Sequence, residues 1–293
     1  RSASILQSGR ARLPWPRTLK YLTILKEMYL PLKRKLQNTT SRIWSFSAAA
    51  FILVLWQAAV SLGCIEGFML PSPIQVLRTF ISEFPILMDN ARITLAEAAL
   101  GLLFGIVTGF AAAVLMDRFK RAYQAFYPIV VLTQTVPAVA MAPLLVLWFG
   151  YEMTPKVILI VITTFFPITV GLLTGFKSAD PDAVNLLRAM GAGRMQIFRY
   201  LKLPGAMNQF FSSLKISASY AVVGAVISEW LGGFGGLGVY MTRVRKAFSF
   251  DKMFAVIFLI SVISLLLMRA VELLQEKCMP WEKGDETGRR RTG

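Results

Sequence analysis

Histidine is absent from the 293 residues, and cysteine occurs only twice. Two isolated cysteines, Cys64 and Cys278, with no imidazole to join them argue against a zinc site. They fall near the outer end of the first apolar run and past the inner end of the last. On opposite faces of a membrane they form no disulfide. Charge is scarce: 16% of residues are charged, where a soluble domain carries about a quarter. Acids are scarcer still, 16 Asp and Glu against 32 Lys and Arg. No chain of acids crosses the middle of the sequence, which counts against a proton-coupled carrier. There is no G-x-x-x-x-G-K-[ST] loop. Gly171 to Ser178 (GLLTGFKS) only mimics its composition and lies at a span end, so the chain is not expected to hydrolyse ATP. Nucleophile elbows and metal-binding helices are missing too. No catalytic residue, metal ligand or cofactor of the chain's own is therefore expected.

What the sequence has instead is apolar length. Hydrophobic residues make up 55% and mean hydropathy is +0.57. They fall in long runs, without the alternation a barrel strand needs, so membrane-spanning helices are required. Six spans are expected, near Trp44–Cys64, Thr94–Met116, Tyr123–Leu147, Val157–Phe176, Phe210–Leu231 and Phe254–Leu274. The fold class is all-α and polytopic. One membrane domain, residues 43–276, lies between a basic amino-terminal tail, 1–42, and a carboxy-terminal tail, 277–293.

The net charge of +16 invites nucleic acid as a partner, but its distribution points to a membrane. Basic residues crowd the first tail (Arg10, Arg12, Arg17, Lys20, Lys26, Lys33, Arg34, Lys35, Arg42). They recur at Arg118, Lys120 and Arg121, between spans four and five, and at Arg289, Arg290 and Arg291. With six spans these segments share one side, which the positive-inside rule makes cytoplasmic. Attraction to anionic lipid accounts for the excess. Arg243, Arg245 and Lys246, after the fifth span, depart from the rule. The leucines from Leu19 to Leu36 fit either an interfacial helix broken at Pro31 or a basic tail without structure. The first apolar run begins too late, and is too long, for a cleavable signal peptide.

Polar and small residues within the spans are informative. Gly101, Gly105 and Gly109 form a ridge that admits a neighbouring helix, from the same subunit or a second copy. Pro128, Pro137 and Pro143 interrupt the third span and Pro167 the fourth, which is tolerated where a helix is buried or lines water. Thr133, Gln134 and Thr135 sit in the broken stretch. They suit a path for a polar solute, or hydrogen bonds between helices. Glu229 and Glu97 are placed as solvated residues at the outer boundary, with Glu229 also a candidate for the pore. The cluster Gly232, Gly233, Gly235, Gly236 and Gly238 lacks the strand of a phosphate loop and reads as a tight turn.

Residues 177–208 form a polar, basic island between two apolar runs. Within it, DPDAVNLLRAMGAGRMQIFRYLKLP runs from Asp180 to Pro204. Ala183, Leu187 and Met190 recur at helical spacing, which gives the first short helix a face to bury in a partner. Gly191 and Gly193 permit a sharp turn. Pro204 is expected to stop the second helix.

This stretch resembles the cytoplasmic EAA loop of permease subunits of binding-protein-dependent ABC importers. The family pattern is Glu-Ala-Ala, three residues, Gly, nine residues, Ile, one residue, Leu-Pro. Here Gly191 is followed by nine residues, then Leu201, Lys202, Leu203 and Pro204. Asn185, Leu186 and Leu187 stand at the Glu-Ala-Ala positions, a departure that removes the acidic contact. Elsewhere Leu70-Pro71-Ser72-Pro73, Val136-Pro137-Ala138, Leu147-Trp148-Phe149-Gly150 and Ser228-Glu229-Trp230-Leu231-Gly232 resemble the alkanesulfonate, taurine, nitrate and thiamine-precursor branch. Gly236 to Met241 and Met279-Pro280-Trp281 look closest to hydroxymethylpyrimidine permeases. The resemblance implies a type I importer fold in a bacterial inner membrane, with both termini cytoplasmic. It implies a dimer of permeases, an ATP-binding subunit dimer that uses the ATP, and a periplasmic or lipid-anchored solute-binding protein. The coupling residues it implies are Ala183, Leu186, Leu187, Met190, Gly191, Leu201, Leu203 and Pro204. A secondary transporter or channel acting alone, and a scaffold without a pore, are the competing classes.

Overall fold

A computed structural model describes residues 44, 47–63, 65, 67–231 and 233–280. The amino-terminal tail, the carboxy-terminal tail from residue 281 on, Cys64 and Gly232 lie outside the described residues, as do the expectations placed on them. Regular structure among the described residues is helical throughout. The chain divides into two compact units between Ile65 and Glu66. The first carries an apolar helix, α1, Ser47–Ser61.

The second unit begins with α2, Pro73–Ser82. Ser72 caps it by accepting the Gln75 N–H at 3.2 Å, and proline occupies the first turn, where its missing donor is harmless. α3 runs Phe84–Arg118 and is 35 residues long, about 50 Å, so it overruns a hydrocarbon core of about 30 Å. It starts well before Thr94 because Pro85 again sits at the first turn and Asp89, Asn90 and Arg92 are compatible with helix. α4, Lys120–Thr135, and α5, Ala138–Phe149, replace the expected single third span. They meet at 99°. Val136 is extended, with ψ 120°, as the residue before Pro137 must be. α6 spans Met153–Lys177, α9 Leu203–Leu231 and α11 Phe250–Cys278. A short helix, α10, Leu237–Lys246, was not anticipated, nor was α2.

Three helices make the heart of the unit. A Cβ at Gly101, Gly105 or Gly109 of α3 would collide with Ile160, Thr164 or Ile168 of α6. The glycine ridge is therefore filled from within the same subunit. On its other side, α6 presents Gly171 to Ser213 and Gly175 to Ala206 of α9. Hydroxyls reinforce the approach: Thr169 Oγ1 donates to the Gly109 carbonyl at 3.4 Å, and Ser217 Oγ donates to the Thr164 carbonyl at 3.4 Å. Small residues remove the side-chain standoff, so van der Waals contact replaces the hydrophobic drive that lipid cannot supply.

Away from the spans, Glu83 joins three elements. It accepts from Lys252 Nζ at 2.6 Å and from Tyr240 Oη at 3.1 Å. The Lys252 hydrogen bond holds Glu83 below the usual carboxylate range. Burial, and the Glu83 charge beside it, push Tyr240 up to about 12.

Candidate functional site

The elbow between α6 and α9 is built from local rules. Asp180 caps α7, Pro181–Ala189, by accepting the Asp182 N–H at 3.0 Å, with Pro181 in the first turn. The helix ends in a Schellman turn: Gly191 N–H donates to the Arg188 carbonyl and Ala192 N–H to the Leu187 carbonyl, both at 2.9 Å. Gly191 has φ +84°, the left-handed conformation that side chains penalise. α8, Arg194–Ile197, follows at once, and Gln196 Oε1 reaches back to accept the Gly193 N–H at 2.7 Å.

Pro204 does not stop the second helix. Helix continues unbroken from Arg194 to Leu231, 38 residues. A π-helical turn over Phe198–Lys202 absorbs the proline. Its wider spiral, with Leu203 N–H donating to the Phe198 carbonyl, spares the chain the clash that Pro204 would make with a regular turn before it.

The root of the elbow is pinned to four helices, α3, α4, α6 and α11. Lys202 Nζ pairs with Asp117 of α3 at 2.7 Å. Phe198 packs on Phe176 of α6, ring centroids 5.2 Å apart. Gln275 of α11 donates to Asn208 Oδ1 at 3.3 Å. Lys177 Nζ reaches Tyr123 Oη of α4 at 2.7 Å. Leu203 packs into the same apolar cluster as Phe176, and Leu201 is half-buried.

The expected face of α7 is divided. Ala183 and Leu187 are half-buried against their own chain, together with Val184. Leu186 and Met190 are 63% and 74% exposed. The outward apolar pair is thus Leu186 and Met190. The inward residues seat the helix on its own subunit.

A second feature lies where α4 breaks. Thr133 and Gln134 line a cavity of about 240 Å³ with Met141, Thr163, Tyr220 and Ile227. Its lining holds no ionisable group other than the Tyr220 phenol. Thr133 donates to the Val130 carbonyl at 2.7 Å and Thr135 to the Leu132 carbonyl at 2.8 Å. Both hydroxyl protons thus serve their own helix. Thr135 is exposed and is not part of the lining.

Glu229 and Glu97 are neither solvated nor pore-facing within the subunit. They are 1% and 3% exposed, and Lys156 is 4% exposed. Lys156 Nζ pairs with Glu97 Oε1 at 2.5 Å. Glu229 accepts from Thr94 Oγ1 at 2.7 Å and from the Gly238 N–H at 2.5 Å. Leu237 N–H donates to Thr94 Oγ1 at 2.9 Å, and Gly236 N–H to Asn90 Oδ1 at 3.1 Å. The start of α10 therefore sits on a buried carboxylate, the arrangement a helix N-terminus favours. This explains the glycines: a Cβ at Gly236 or Gly238 would strike Glu229, and one at Gly233 would press on Lys156. The sequence signal was the density of glycine beside an acid.

Residues 101–278 match the family model described as binding-protein-dependent transport system inner membrane component. The chain is 38% identical over 234 residues to the formylaminopyrimidine transport permease protein ThiX of Halalkalibacterium halodurans, covering 79% of this chain and 93% of that one. It is 30% identical to the riboflavin transport system permease protein RibX of Chloroflexus aurantiacus, over 79% of this chain and 87% of the relative. It is 27% identical to the taurine transport system permease protein TauC of Escherichia coli, over 81% and 89%. Among solved structures, an inward-facing MetNI methionine ABC transporter superposes with a TM-score of 0.58 at 20% identity, over 67% of this chain and 97% of that one.

Proposed function

The chain belongs to the family of binding-protein-dependent transport system inner membrane components, and from that premise we propose how its parts divide the work of an ATP-driven importer. It is a multi-pass membrane permease. The broken α4–α5 stretch and the cavity beside it serve as the solute path. The elbow takes the stroke of a separate ATPase pair, which binds and uses the ATP. Leu186 and Met190 enter the partner's groove, and Gly191 fixes the angle at which α7 is offered. Two copies of the chain make the pore, and a solute-binding protein delivers to the face opposite the elbow. The elbow and both termini face the cytoplasm, in keeping with the basic residues Arg118, Lys120, Arg121, Lys177, Arg188, Arg194 and Arg199 around the elbow.

The observation that carries the coupling reading is mechanical. An apolar pair stands exposed at α7, and the helix that follows it across the Gly191 turn is tied by Lys202–Asp117 and Phe198–Phe176 to two spans. A push on Met190 is therefore delivered to α3, α6 and α9, not lost in a loose loop. For the solute, a small neutral heteroaromatic is favoured, a pyrimidine precursor of thiamine first. The ThiX likeness supports this. So does a cavity lining without any cation, since a sulfonate or nitrate in such a cavity would lack a counter-charge. Alkanesulfonate, taurine and nitrate are the runners-up.

Gly191→Pro tests the coupling role. Proline supplies no N–H for the Arg188 carbonyl and cannot adopt φ +84°. The variant is expected to insert in the membrane and to retain little uptake, while the assembled complex still hydrolyses ATP. Full uptake by the variant, or solute movement by the chain reconstituted without an ATPase, defeats the reading.

A further inference from the structure

Beside the elbow lies a hollow of about 410 Å³, walled in part by the Lys202–Asp117 tie and Phe198. Its walls come from the end of α3, from α7, and from α8 with the π-helical turn. Val114, Ile197 and Phe198 make an apolar side. Arg118, Arg188, Arg194 and Lys202 bring four cations to it, against one acid, Asp117. That acid is already engaged, since Lys202 Nζ meets both of its oxygens, at 2.7 and 3.0 Å. Arg118, Arg188 and Arg194 have no anionic partner among the described residues. The three arginines are exposed, and their charges add at the mouth of the hollow to attract an anion, an attraction that salt weakens. Guanidinium groups suit an anion with several oxygens, because their planar forks bond phosphate in pairs.

We infer that this hollow is a phosphate-binding site, and that its occupant is the headgroup of an anionic phospholipid. The position selects the source. α3 leaves its apolar stretch just before Arg118, and α9 enters its apolar run near Phe210, about two turns after Lys202, so the hollow opens at the boundary where lipid headgroups lie. The apolar side then receives the glycerol and the first methylenes, while the arginines hold the phosphate. A lipid so placed would bridge α3 to α7 alongside the Lys202–Asp117 pair. The inference goes beyond the coupling reading and needs only that the elbow lies at the membrane boundary.

The test uses the full chain in detergent and native mass spectrometry. Phosphatidylglycerol, phosphatidylcholine and glycerol 3-phosphate are offered in separate titrations. The probe is the double variant Arg188→Gln with Arg194→Gln. Arg243→Gln with Arg245→Gln, on α10, is the control. The wild-type chain and the control are expected to retain phosphatidylglycerol about thirtyfold more tightly than the probe, the membrane-surface worth of two basic residues. Phosphatidylcholine should show no such difference. Equal retention of both lipids, or equal losses in both double variants, overturns the site. Retention of glycerol 3-phosphate without a preference for phosphatidylglycerol gives the site to soluble phosphates and overturns the lipid source. Capture of the partner ATPase is scored in parallel. Lost lipid with ATPase capture intact concerns this site alone, and lost capture with lipid retained concerns the coupling reading alone.

Discussion

Replacing Lys156 by methionine puts the largest stress on the region where α10 meets the spans. The substitution keeps the length of the side chain and removes its charge. Glu97 and Glu229 would then share a buried site with no cation. Lys156 and Glu97 are 5% and 4% exposed at the side chain, and their charged atoms are 2.5 Å apart, so water does not compensate. Removing one partner of such a pair costs about 3–5 kcal/mol. At roughly 2–4 °C per kcal/mol for a chain of this size, the unfolding temperature should fall by about 6–20 °C. The double variant Lys156→Met with Glu97→Leu behaves differently. It removes the pair together, while Glu229 keeps the Thr94 hydroxyl, the Gly238 N–H and the start of α10. Its cost should stay within about 1 kcal/mol of wild type. Thermal unfolding in detergent, followed by tryptophan fluorescence, measures both variants. A single variant as stable as wild type would show that the cluster is wetter than its burial indicates. A double variant no better than the single would show that the cost lies in packing, and either result refutes the electrostatic argument.

Other predictions concern other parts of the molecule. Gln134→Leu should lower solute uptake several-fold, while ATPase capture and basal hydrolysis by the complex stay unchanged, because Gln134 lines the cavity and lies far along the chain from the elbow. Gly175→Val should destabilise the chain by about 1–3 kcal/mol or more, read as a lower unfolding temperature. Its Cβ would meet the backbone of Ala206, which cannot swing aside. Glu83 has a lowered pKa because of Lys252, so its contribution is present above the ordinary carboxylate value and is lost as pH falls through the lowered one. Unfolding temperature measured as the pH falls below about 4.5 should drop less steeply in Glu83→Gln than in wild type. Tyr240, raised to about 12, adds a loss at the other extreme, as pH rises past about 10 toward that value.

Local rules made much of the elbow legible. The spacing from Gly191 to Leu203 and Pro204 lies within one stretch of chain, and a glycine at a helix end is a strong sign of a left-handed residue. The six apolar runs were equally legible, although α4 and α5 are a bent pair and α1 is short. The face of α7 was not. Helical spacing separates two apolar faces, Ala183 with Leu187 and Leu186 with Met190, but it cannot say which one the rest of the chain covers. The buried acids were misplaced for a related reason. Glu229 meets Thr94 across 135 residues and Lys156 meets Glu97 across 59, and no periodicity carries such a pairing. α2 and α10 are too short and too mixed in polarity to stand out as spans. The π-helical turn was invisible because proline in a helix signals a stop unless the turn before it widens.

The two ends of α9 are held in different ways, and this bears on the proposed route from a stroke at the elbow to the cavity beside α4. At the Leu231 end, Glu229 is fixed by Thr94 and by the backbone of the glycine turn, so that end is anchored to α3 and α10. At the other end a π-helical turn interrupts the regular bond ladder between Phe198 and Lys202, where helices yield most readily. Between them α9 lies so close to α6, through Gly171, Gly175 and Gly224, that the two helices cannot slide without losing contact along their length. In the coupling proposed above, a displacement of α7 would tilt the α6–α9 pair about its anchored end. The cavity sits on the side of that pair facing α5, walled by Thr163, Tyr220 and Ile227 on one side and by Thr133, Gln134 and Met141 on the other. α5 buries Ala142 and Leu145 against Leu159 of α6, with Ile227 of α9 beside them, so it would move with that pair, and it meets α4 only through the 99° bend at Val136 and Pro137. The strain of such a tilt would fall on the bend between α4 and α5, beside the cavity residues Thr133 and Gln134.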